Sequence, residues 1–170
     1  MRWTIAALVV LAPALAQRPP DIYFAPTPHA VADAMLQLAR VTAEDVVYDL
    51  GSGDGRIVII AAQKYGARGV GVELDARLVE RARQNAREAG VADRVRFVEG
   101  DLFTADISEA TVVTLYLSRS VNMELEPKLR GELRPGTRIV PHQFRIGRWV
   151  HDQALRVDGA DLFLWMVPAR

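Results

Sequence analysis

The sequence contains no cysteine, and its basic residues include only two lysines, Lys64 and Lys128. Without cysteine the chain can form neither a disulfide nor a cysteine-ligated zinc site. Its 21 basic residues are balanced by 21 acidic residues, so the formal net charge at pH 7 is +0. The overall basic field that most nucleic-acid-binding proteins use is therefore missing, and no nucleic-acid partner is expected.

The N-terminal apolar run is shorter than the roughly 20 residues that a membrane-spanning helix needs. It follows Arg2, covers residues 3–15 and ends in Ala14-Leu15-Ala16. A positive residue, a short apolar run and an A-x-A end are the pattern of a bacterial secretory signal peptide. We therefore place residues 1–16 outside the fold, as a signal-like or anchor segment, and assign residues 17–170 to a single domain.

The most informative stretch is residues 46–59, with the sequence VVYDLGSGDGRIVI. Its first five residues form an apolar, β-branched run, which predicts a strand buried on both faces of a parallel sheet. Glycines follow at positions 51, 53 and 55, and then an apolar run of helical type begins. A glycine turn at a helix N-terminus exposes unpaired N–H groups, so we expect a polar or anionic ligand over this turn.

The spacing of these glycines narrows the choice of ligand. A dinucleotide fingerprint requires a third glycine where Arg56 stands, and a phosphate-binding Walker loop requires a lysine that the stretch lacks. The pattern D-x-G-x-G-x-G, beginning at Asp49, resembles motif I of the class I S-adenosylmethionine-dependent methyltransferases. That resemblance implies S-adenosyl-L-methionine as cofactor, whereas the alternative is a tight turn without a ligand.

Alternating strand and helix patterns predict the fold. A helix over residues 28–40 is expected to have Thr27 as its N-cap and Pro28 as its first residue. A parallel sheet with helices on its faces, closed by an antiparallel hairpin of residues 155–157 and 162–167, gives a doubly wound α/β fold with a mostly parallel seven-stranded sheet. The other strands are expected at residues 46–50, 69–74, 94–98, 111–117 and 137–142.

Acidic residues lie at or shortly after the carboxyl ends of three of the predicted strands. Glu73 can accept hydrogen bonds from ribose hydroxyls, and Asp101 can accept from an adenine amine while Leu102 contacts the ring. Asp49 either binds an amino group through water or orders the glycine turn beneath which it lies. Because ligands of such sheets bind at the carboxyl ends of the strands, we expect these carboxylates to converge. A solvent-facing carboxylate is the alternative at each position.

Six segments occur in the order found in a known family: Tyr-x-x-Pro-Thr-Pro at 23–28, VYDLGSGDGRI at 47–57, ATVVTLYL at 110–117, Asn122, Pro-Lys-Leu at 127–129 and Pro-Gly-Thr-Arg at 135–138. They resemble the small seven-strand protein-lysine methyltransferases, which include broad-specificity archaeal enzymes and the mitochondrial enzyme that modifies the ATP synthase c-subunit. The resemblance covers almost everything after residue 16. Residues 23–28 are then either a strap over the sheet edge or a lid over the ligand.

The resemblance implies that Leu115 to Leu117 and Asn122 line the channel for the acceptor side chain. Within that channel we expect Tyr116 to orient the acceptor amine, although an aromatic residue at a strand end can also simply pack the core. His142 could accept a proton, or it could be a strand-end histidine bonded to backbone. Pro141 and the short C-terminal hairpin both depart from the family pattern. Both lie on the expected substrate side, so they put in question which protein is methylated. The implied cofactor-binding residues are Tyr23, Thr27, Asp49, Gly51, Ser52, Gly53, Glu73, Asp101 and Leu102.

The expected activity is methyl transfer to a lysine side chain of a protein substrate, by a monomer. No metal is expected, because Asp106, Glu109 and Asp158 lack ligand spacing. The Asn/Asp-Pro-Pro-Tyr/Phe motif of adenine-N6 and glutamine methyltransferases is also absent. Two alternatives stay open: a small-molecule methyltransferase, and a non-catalytic S-adenosylmethionine-binding accessory protein. Residues 1–16 predict export, a membrane anchor or a start codon assigned too early, and the cytosolic origin of the cofactor favours the last two.

Overall fold

The computed structural model describes residues 25–169. Tyr23 and the signal-like segment, residues 1–16, lie outside this range. The four helices of the described range are α1 (His29–Leu38), α2 (Arg56–Tyr65), α3 (Ala76–Glu88) and α4 (Arg119–Glu132). The strands are β1 (Val46–Leu50), β2 (Arg68–Glu73), β3 (Val95–Glu99), β4 (Val112–Leu115), β5 (Arg138–Pro141), β6 (Gln153–Val157) and β7 (Ala160–Met166).

The strands form one seven-stranded sheet in the order β3-β2-β1-β4-β5-β7-β6. The strands β3, β2, β1, β4 and β5 are parallel to one another. The strand β7 pairs antiparallel with both β5 and β6. Chain order reverses at β1, because β2 and β3 extend the sheet on one side of it and β4 begins the other side. The predicted fold class, a doubly wound and mostly parallel sheet with a C-terminal antiparallel hairpin, is confirmed.

Two apolar layers enclose the sheet. One layer joins the buried faces of α1, α2 and α3 to side chains such as Val47 and Val112. The other joins α4 to the opposite face of the same strands, through residues such as Tyr48, Leu115 and Trp165. The strand β1 is buried along its whole length, as expected for a central parallel strand with helices on both faces.

The start of α1 differs from the sequence prediction. Pro28 is the N-cap residue, and the helix has no side-chain cap. The Thr27 hydroxyl instead lies 3.3 Å from Nδ1 of His142. The predicted cap was wrong because that hydroxyl is engaged by a residue 115 positions away. The helix α3, in contrast, has a side-chain cap, since the Asp75 side chain accepts a hydrogen bond from the Arg77 N–H.

The switch of chain order at β1 leaves a crevice beyond the carboxyl ends of the parallel strands. The segment from Ala25 to Thr27 runs beside this crevice and leads into α1. Between residues 25 and 169, no helix has the length and apolar character that crossing a membrane requires.

Candidate active site at the carboxyl edge of the sheet

A cavity of about 670 Å³ lies at the carboxyl edge of β1, β2 and β4. This volume is typical of small-molecule sites. The cavity extends from the glycine turn after β1 to Tyr116 and Val121 after β4, and the segment Ala25–Thr27 forms part of its wall. Ala25 and Pro26 are both exposed while Thr27 is buried, so this wall belongs to the rim through which the cavity reaches solvent.

The glycine turn brings bare backbone to the cavity wall. The N–H groups of Gly51 and Ser52 both donate to the carbonyl of Val72, at 2.8 and 3.0 Å, which fixes the turn against β2. Gly51 has φ of +81°, and a Cβ built on it would lie 2.8 Å from Cδ2 of Leu117. A side chain at this position would therefore be both strained and in collision with the cavity wall.

Glu73, at the end of β2, holds the glycine turn in place. Its Oε2 accepts the Gly53 N–H at 2.9 Å, and its Oε1 accepts the Asp75 N–H at 3.0 Å. A carboxylate offers about four acceptor positions, so both oxygens keep capacity for a ligand hydroxyl. Glu73 therefore orders the glycine turn. From the sequence, this role was one of two alternatives for Asp49.

Asp49 is almost completely buried beneath the turn, with 3% of its surface exposed. Its Oδ1 accepts a 2.7 Å hydrogen bond from the Thr114 hydroxyl on the neighbouring strand. Burial raises the pKa of Asp49 to about 7, the charges of Glu73 and Asp54 act in the same direction, and the Thr114 hydrogen bond opposes them. The cavity floor therefore carries a carboxyl group that is easily ionised by a nearby cation.

Asp54 and Arg56 form a second polar unit in the wall. The Arg56 guanidinium donates to both carboxylate oxygens of Asp54, at 2.9 and 2.6 Å, and its Nη1 donates to the Thr27 carbonyl at 2.9 Å. Burial raises the pKa of Asp54, but the hydrogen bonds and charge of Arg56 outweigh it and hold that pKa below its usual value. Arg56 thus joins the turn to the segment before α1.

The loop after β3 supplies the opposite wall. The Oδ1 of Asp101 accepts the Phe103 N–H at 2.8 Å, and its carbonyl accepts the N–H groups of Thr104 and Ala105, both at 3.0 Å. This local turn presents the half-buried side chains of Leu102 and Phe103 to the cavity. Asp101 lies beside them, so a carboxylate and an apolar surface adjoin, as recognition of an aminated aromatic ring requires.

At the other end of the cavity, Tyr116 belongs to an aromatic pair whose second ring, His142, lies behind the cavity wall. The Tyr116 ring stacks on the His142 ring, with 3.9 Å between centroids and 25° between planes. These two residues directly follow the register pair Leu115 and Pro141 of β4 and β5, which explains their contact. Burial lowers the pKa of His142, which favours the neutral form of its ring.

Two buried polar atoms near the site have no hydrogen-bond partner in the described part of the chain: Oγ of Ser52 and Oδ1 of Asn122. The Asn122 amide donates to the carbonyl of Phe144 at 2.9 Å, while Asn122 itself is fully buried. Val121 borders the cavity, but Asn122 is not among the described residues that line it. Its role in the acceptor channel stays a prediction.

The structure brings together most of the residues that the sequence singled out. The cavity also involves residues that the sequence did not single out, chiefly Asp54, Arg56 and Arg77. Arg56 had a usable signal, since it follows the last glycine of the motif directly, whereas nothing local indicated its bond to Thr27. Tyr23 lies outside the described residues. The selected residues that line the cavity are Thr27, Asp49, Gly51, Ser52, Gly53, Glu73, Asp101, Leu102 and Tyr116.

Comparisons with known proteins agree with this geometry. The family model described as the ANTKMT methyltransferase domain matches residues 49–153. A protein-lysine N-methyltransferase of Saccharolobus islandicus is 44% identical over 144 residues, which are 84% of this chain and 89% of that protein. The adenine nucleotide translocase lysine N-methyltransferase of Mus musculus is 41% identical over 102 residues, which are 59% of this chain and only 44% of that protein.

A solved structure is more similar still in sequence. The crystal structure of an RNA methyltransferase from Salinibacter ruber, in complex with S-adenosyl-L-homocysteine, superposes with a TM-score of 0.85 and 58% identity. The match covers 86% of this chain and 95% of that one. The curated relatives and this structure thus share the methyltransferase chemistry, while their names assign different acceptors.

Proposed function

The chain belongs to the ANTKMT methyltransferase domain family, and from this premise we propose that it is an S-adenosylmethionine-dependent enzyme that methylates a lysine side chain of a protein substrate. The observation that carries this proposal is one cavity bounded by the glycine turn and its carboxylates at one end and by Tyr116 at the other. It offers a cofactor end and an acceptor end. The relative that matches 84% of the chain is a protein-lysine methyltransferase.

The residues of the cavity fit the proposed cofactor. Gly51 has no side chain between its backbone and the cavity, and a Cβ there would collide with Leu117, which also lines the cavity. Asp49, Glu73 and Asp101 would hold the amino group, ribose and adenine ends in that order along the strand ends, with Leu102 and Gly53 beside them. Thr27 and Ser52 complete the proposed set, and Tyr23 extends it beyond the described residues. When bound, S-adenosylmethionine supplies a methyl group activated by a cationic sulfur.

The chain's own contribution to the reaction is mainly positioning. An acceptor lysine must lose its proton, which costs roughly 4–5 kcal/mol at pH 7 from a reference pKa near 10.4. Buried Leu117 and Val121 exclude water from the cavity wall next to Tyr116, and partial desolvation favours the neutral amine. Desolvation beside the cationic sulfur lowers this cost and the proton leaves to water, so no dedicated base is required, while the Tyr116 ring would orient the amine.

A second candidate, RNA methylation, is favoured by one observation: the 58% identical structure is named an RNA methyltransferase. The balanced charge of this chain argues against it, because phosphate contacts dominate the affinity of most RNA-binding proteins. The chain also has Leu115-Tyr116-Leu117-Ser118 where adenine-N6 methyltransferases carry a Pro-Pro motif. Protein lysine therefore remains the favoured acceptor.

One labelling experiment separates these candidates. The full chain is incubated with S-adenosylmethionine carrying a tritiated methyl group and a whole-cell lysate, and parallel samples are then treated with protease or ribonuclease. We expect label that only protease releases, with methyl-lysine identified by mass spectrometry. Label on RNA or on a small metabolite without methyl-lysine would overturn the proposal. Cofactor binding without any transfer would support an accessory role instead.

The proposal also covers the membrane association of residues 1–16 and the oligomeric state of the enzyme. We propose that the enzyme is a monomer and that its N-terminal apolar segment associates with a membrane on the cytoplasmic side, where the cofactor is made. The signal-like sequence pattern supports this association. N-terminal sequencing and membrane fractionation test it: a cleaved N-terminus in an exported fraction contradicts the anchor. Light scattering of the purified domain tests the monomer.

A further inference from the structure

His142 lies just behind the acceptor end of the cavity. It follows β5, it is 5% exposed, and its backbone N–H donates to the carbonyl of Leu115 at 2.8 Å. An isolated bridge to Leu162 fixes it from the other side. His142 is not among the described residues that line the cavity. Its side chain can influence the reaction only through neighbours that do line it.

Two such neighbours contact the imidazole. Its face stacks on Tyr116 at 3.9 Å between centroids. Its Nδ1 lies 3.3 Å from the hydroxyl of Thr27, which precedes α1 and is 4% exposed. One ring therefore links the end of β4 to the segment Ala25–Thr27, and both of these elements form cavity wall.

The link continues to the cofactor end. The Thr27 carbonyl accepts a hydrogen bond from Arg56, and Arg56 is paired with Asp54 in the glycine turn. Tyr116, His142, Thr27, Arg56 and Asp54 thus form a continuous series of contacts around the cavity, which we call the wall series.

Burial favours the uncharged ring of His142, and an uncharged ring suits this position. Burial lowers its pKa, and a neutral imidazole has one donor and one acceptor nitrogen, so Nδ1 can pair with the Thr27 hydroxyl in either tautomer. A neutral ring also adds no positive charge next to the site where the acceptor amine must be uncharged.

We propose that His142 is a positioning residue for methyl transfer, which fixes the orientation of the Tyr116 ring and couples it through Thr27 to the glycine turn. This inference rests on the proposed function for the identity of the acceptor. Misplacement of a reacting group by about 1 Å can lower a rate by on the order of 100-fold. His142 therefore affects the rate of transfer rather than cofactor affinity.

The test compares His142→Phe with His151→Phe. The first variant keeps an aromatic ring against Tyr116 and removes the nitrogen next to Thr27. The second alters another histidine, whose ring contacts Phe163 and Trp165 and which is absent from the described cavity lining. For each variant kcat and KM are measured with poly-L-lysine as acceptor, and Kd for S-adenosyl-L-homocysteine is measured by calorimetry.

We expect His142→Phe to lower kcat by about 10- to 100-fold, with Kd for S-adenosyl-L-homocysteine within about twofold of the wild type. His151→Phe should keep the wild-type kcat. Thr27→Val should lower kcat as well, with Thr27→Ser recovering most of it, and the double variant Thr27→Val/His142→Phe should be no slower than the slower single variant. That non-additivity is the signature of two residues acting through one contact.

A purely structural role gives different results. If kcat and cofactor affinity fall together in His142→Phe, or if the two single effects multiply in the double variant, the positioning role is wrong. Wild-type kcat in His142→Phe also overturns it. If the wild type labels another acceptor instead of lysine, the proposed function fails, but the same ratios of kcat measured on that acceptor still test His142.

Discussion

Three carboxyl groups share the glycine-turn end of the cavity, and their surroundings give them different properties. Asp54 is neutralised by Arg56, Glu73 accepts two backbone N–H groups, and Asp49 is buried with one hydroxyl donor. The pKa of Asp54 is therefore lowered while that of Asp49 is raised to about 7. Environment rather than residue type makes Asp49 the aspartate that can change its charge on ligand binding near pH 7.

Asp49 makes stability depend on pH in a predictable direction. Its pKa is about 7 when folded and near 3.8 when unfolded, so the folded state binds the proton more tightly. Its contribution is fully present below about pH 4 and is lost as the pH rises through about 7, a difference of roughly 4 kcal/mol. We expect Asp49→Asn, measured without cofactor, to melt at a higher temperature than the wild type at pH 8 and at a similar temperature at pH 4.

The control for this experiment is Asp93→Asn, which removes an exposed carboxylate before β3. It should change the melting temperature little at either pH. If the Asp49→Asn variant melts below the wild type at pH 8, the raised pKa of Asp49 is contradicted. The stabilised variant should bind S-adenosylmethionine more weakly, because it lacks the negative charge that faces a cationic ligand.

Glu73→Ala tests the carboxylate that joins the turn to the ligand. The change removes the acceptor of the Gly53 and Asp75 N–H groups and the proposed ribose contact. Hydrogen bonds to charged groups contribute about 1.5–3 kcal/mol each, so we expect binding to weaken by about 2 kcal/mol or more. Calorimetric titration with S-adenosyl-L-homocysteine measures this.

Glu99→Ala is a matched control for Glu73→Ala. Glu99 is the register partner of Glu73 at the end of β3, and it is exposed and absent from the described cavity lining. The affinity of this control for S-adenosyl-L-homocysteine should equal that of the wild type. Unchanged binding in Glu73→Ala would remove Glu73 from the site.

At the scale of elements, the turn between β1 and α2 is determined by packing as well as by backbone conformation. Gly55 is the N-cap of α2, with φ of +80°. A Cβ built on it would lie 2.5 Å from two ring carbons of Phe97 on β3 and 2.9 Å from Cβ of Ala82 on α3. Because Gly55 has no side chain, the start of α2 can pack directly against β3 and α3.

Comparison of Gly55→Ala with Gly90→Ala separates these two requirements. Gly90 also has a positive φ, of +70°, but a Cβ there would meet no atom within 4 Å. Both variants incur the backbone strain, of order 1–3 kcal/mol, and only Gly55→Ala adds overpacking of about 1–3 kcal/mol. Urea unfolding should therefore show the larger loss for Gly55→Ala, and equal losses would contradict the packing argument.

At the scale of the whole molecule, one edge of the sheet gathers residues that are far apart in sequence. The described cavity lining runs from Ala25 to Val121, and its members come from the segment before α1, the ends of β1, β2 and β4, the first turns of α2, α3 and α4 and the loop after β3. The antiparallel strands β6 and β7 contribute none of these residues. They extend the sheet next to β5, and β7 buries Trp165 and Leu162.

This distribution predicts the effect of shortening the N-terminus. A chain that begins at residue 17 should bind S-adenosyl-L-homocysteine with the affinity of the full chain, because it keeps the whole described cavity lining. A chain that begins at residue 29 also loses Thr27, which lines the cavity and whose carbonyl accepts a hydrogen bond from Arg56, so its affinity should fall. Calorimetry on both proteins checks this, and a weakened chain 17–170 would place residues 1–16 in the site.

Features that depend on neighbours in sequence were predictable. The Asp75 cap of α3 joins residues two positions apart. The strand β1 followed from a run of five residues, of which only Asp49 is not apolar. The glycine turn was predictable too, because the strand, the turn and the helix N-terminus are contiguous, and its resemblance to motif I implied the cofactor. In each case local backbone geometry determines the outcome.

The sequence by itself thus determined the sheet, the cavity edge and the cofactor class, while the tertiary structure decided how the site is held. The Thr27 hydroxyl would cap α1 on local grounds, but it lies against His142, 115 positions away. Glu73 bonds to Gly53 across 20 positions, and Asp49 changes its pKa because the layers around it exclude water. Such contacts join residues that are far apart in the sequence. Only the packing of strands and helices brings a partner within hydrogen-bond distance of a given polar atom.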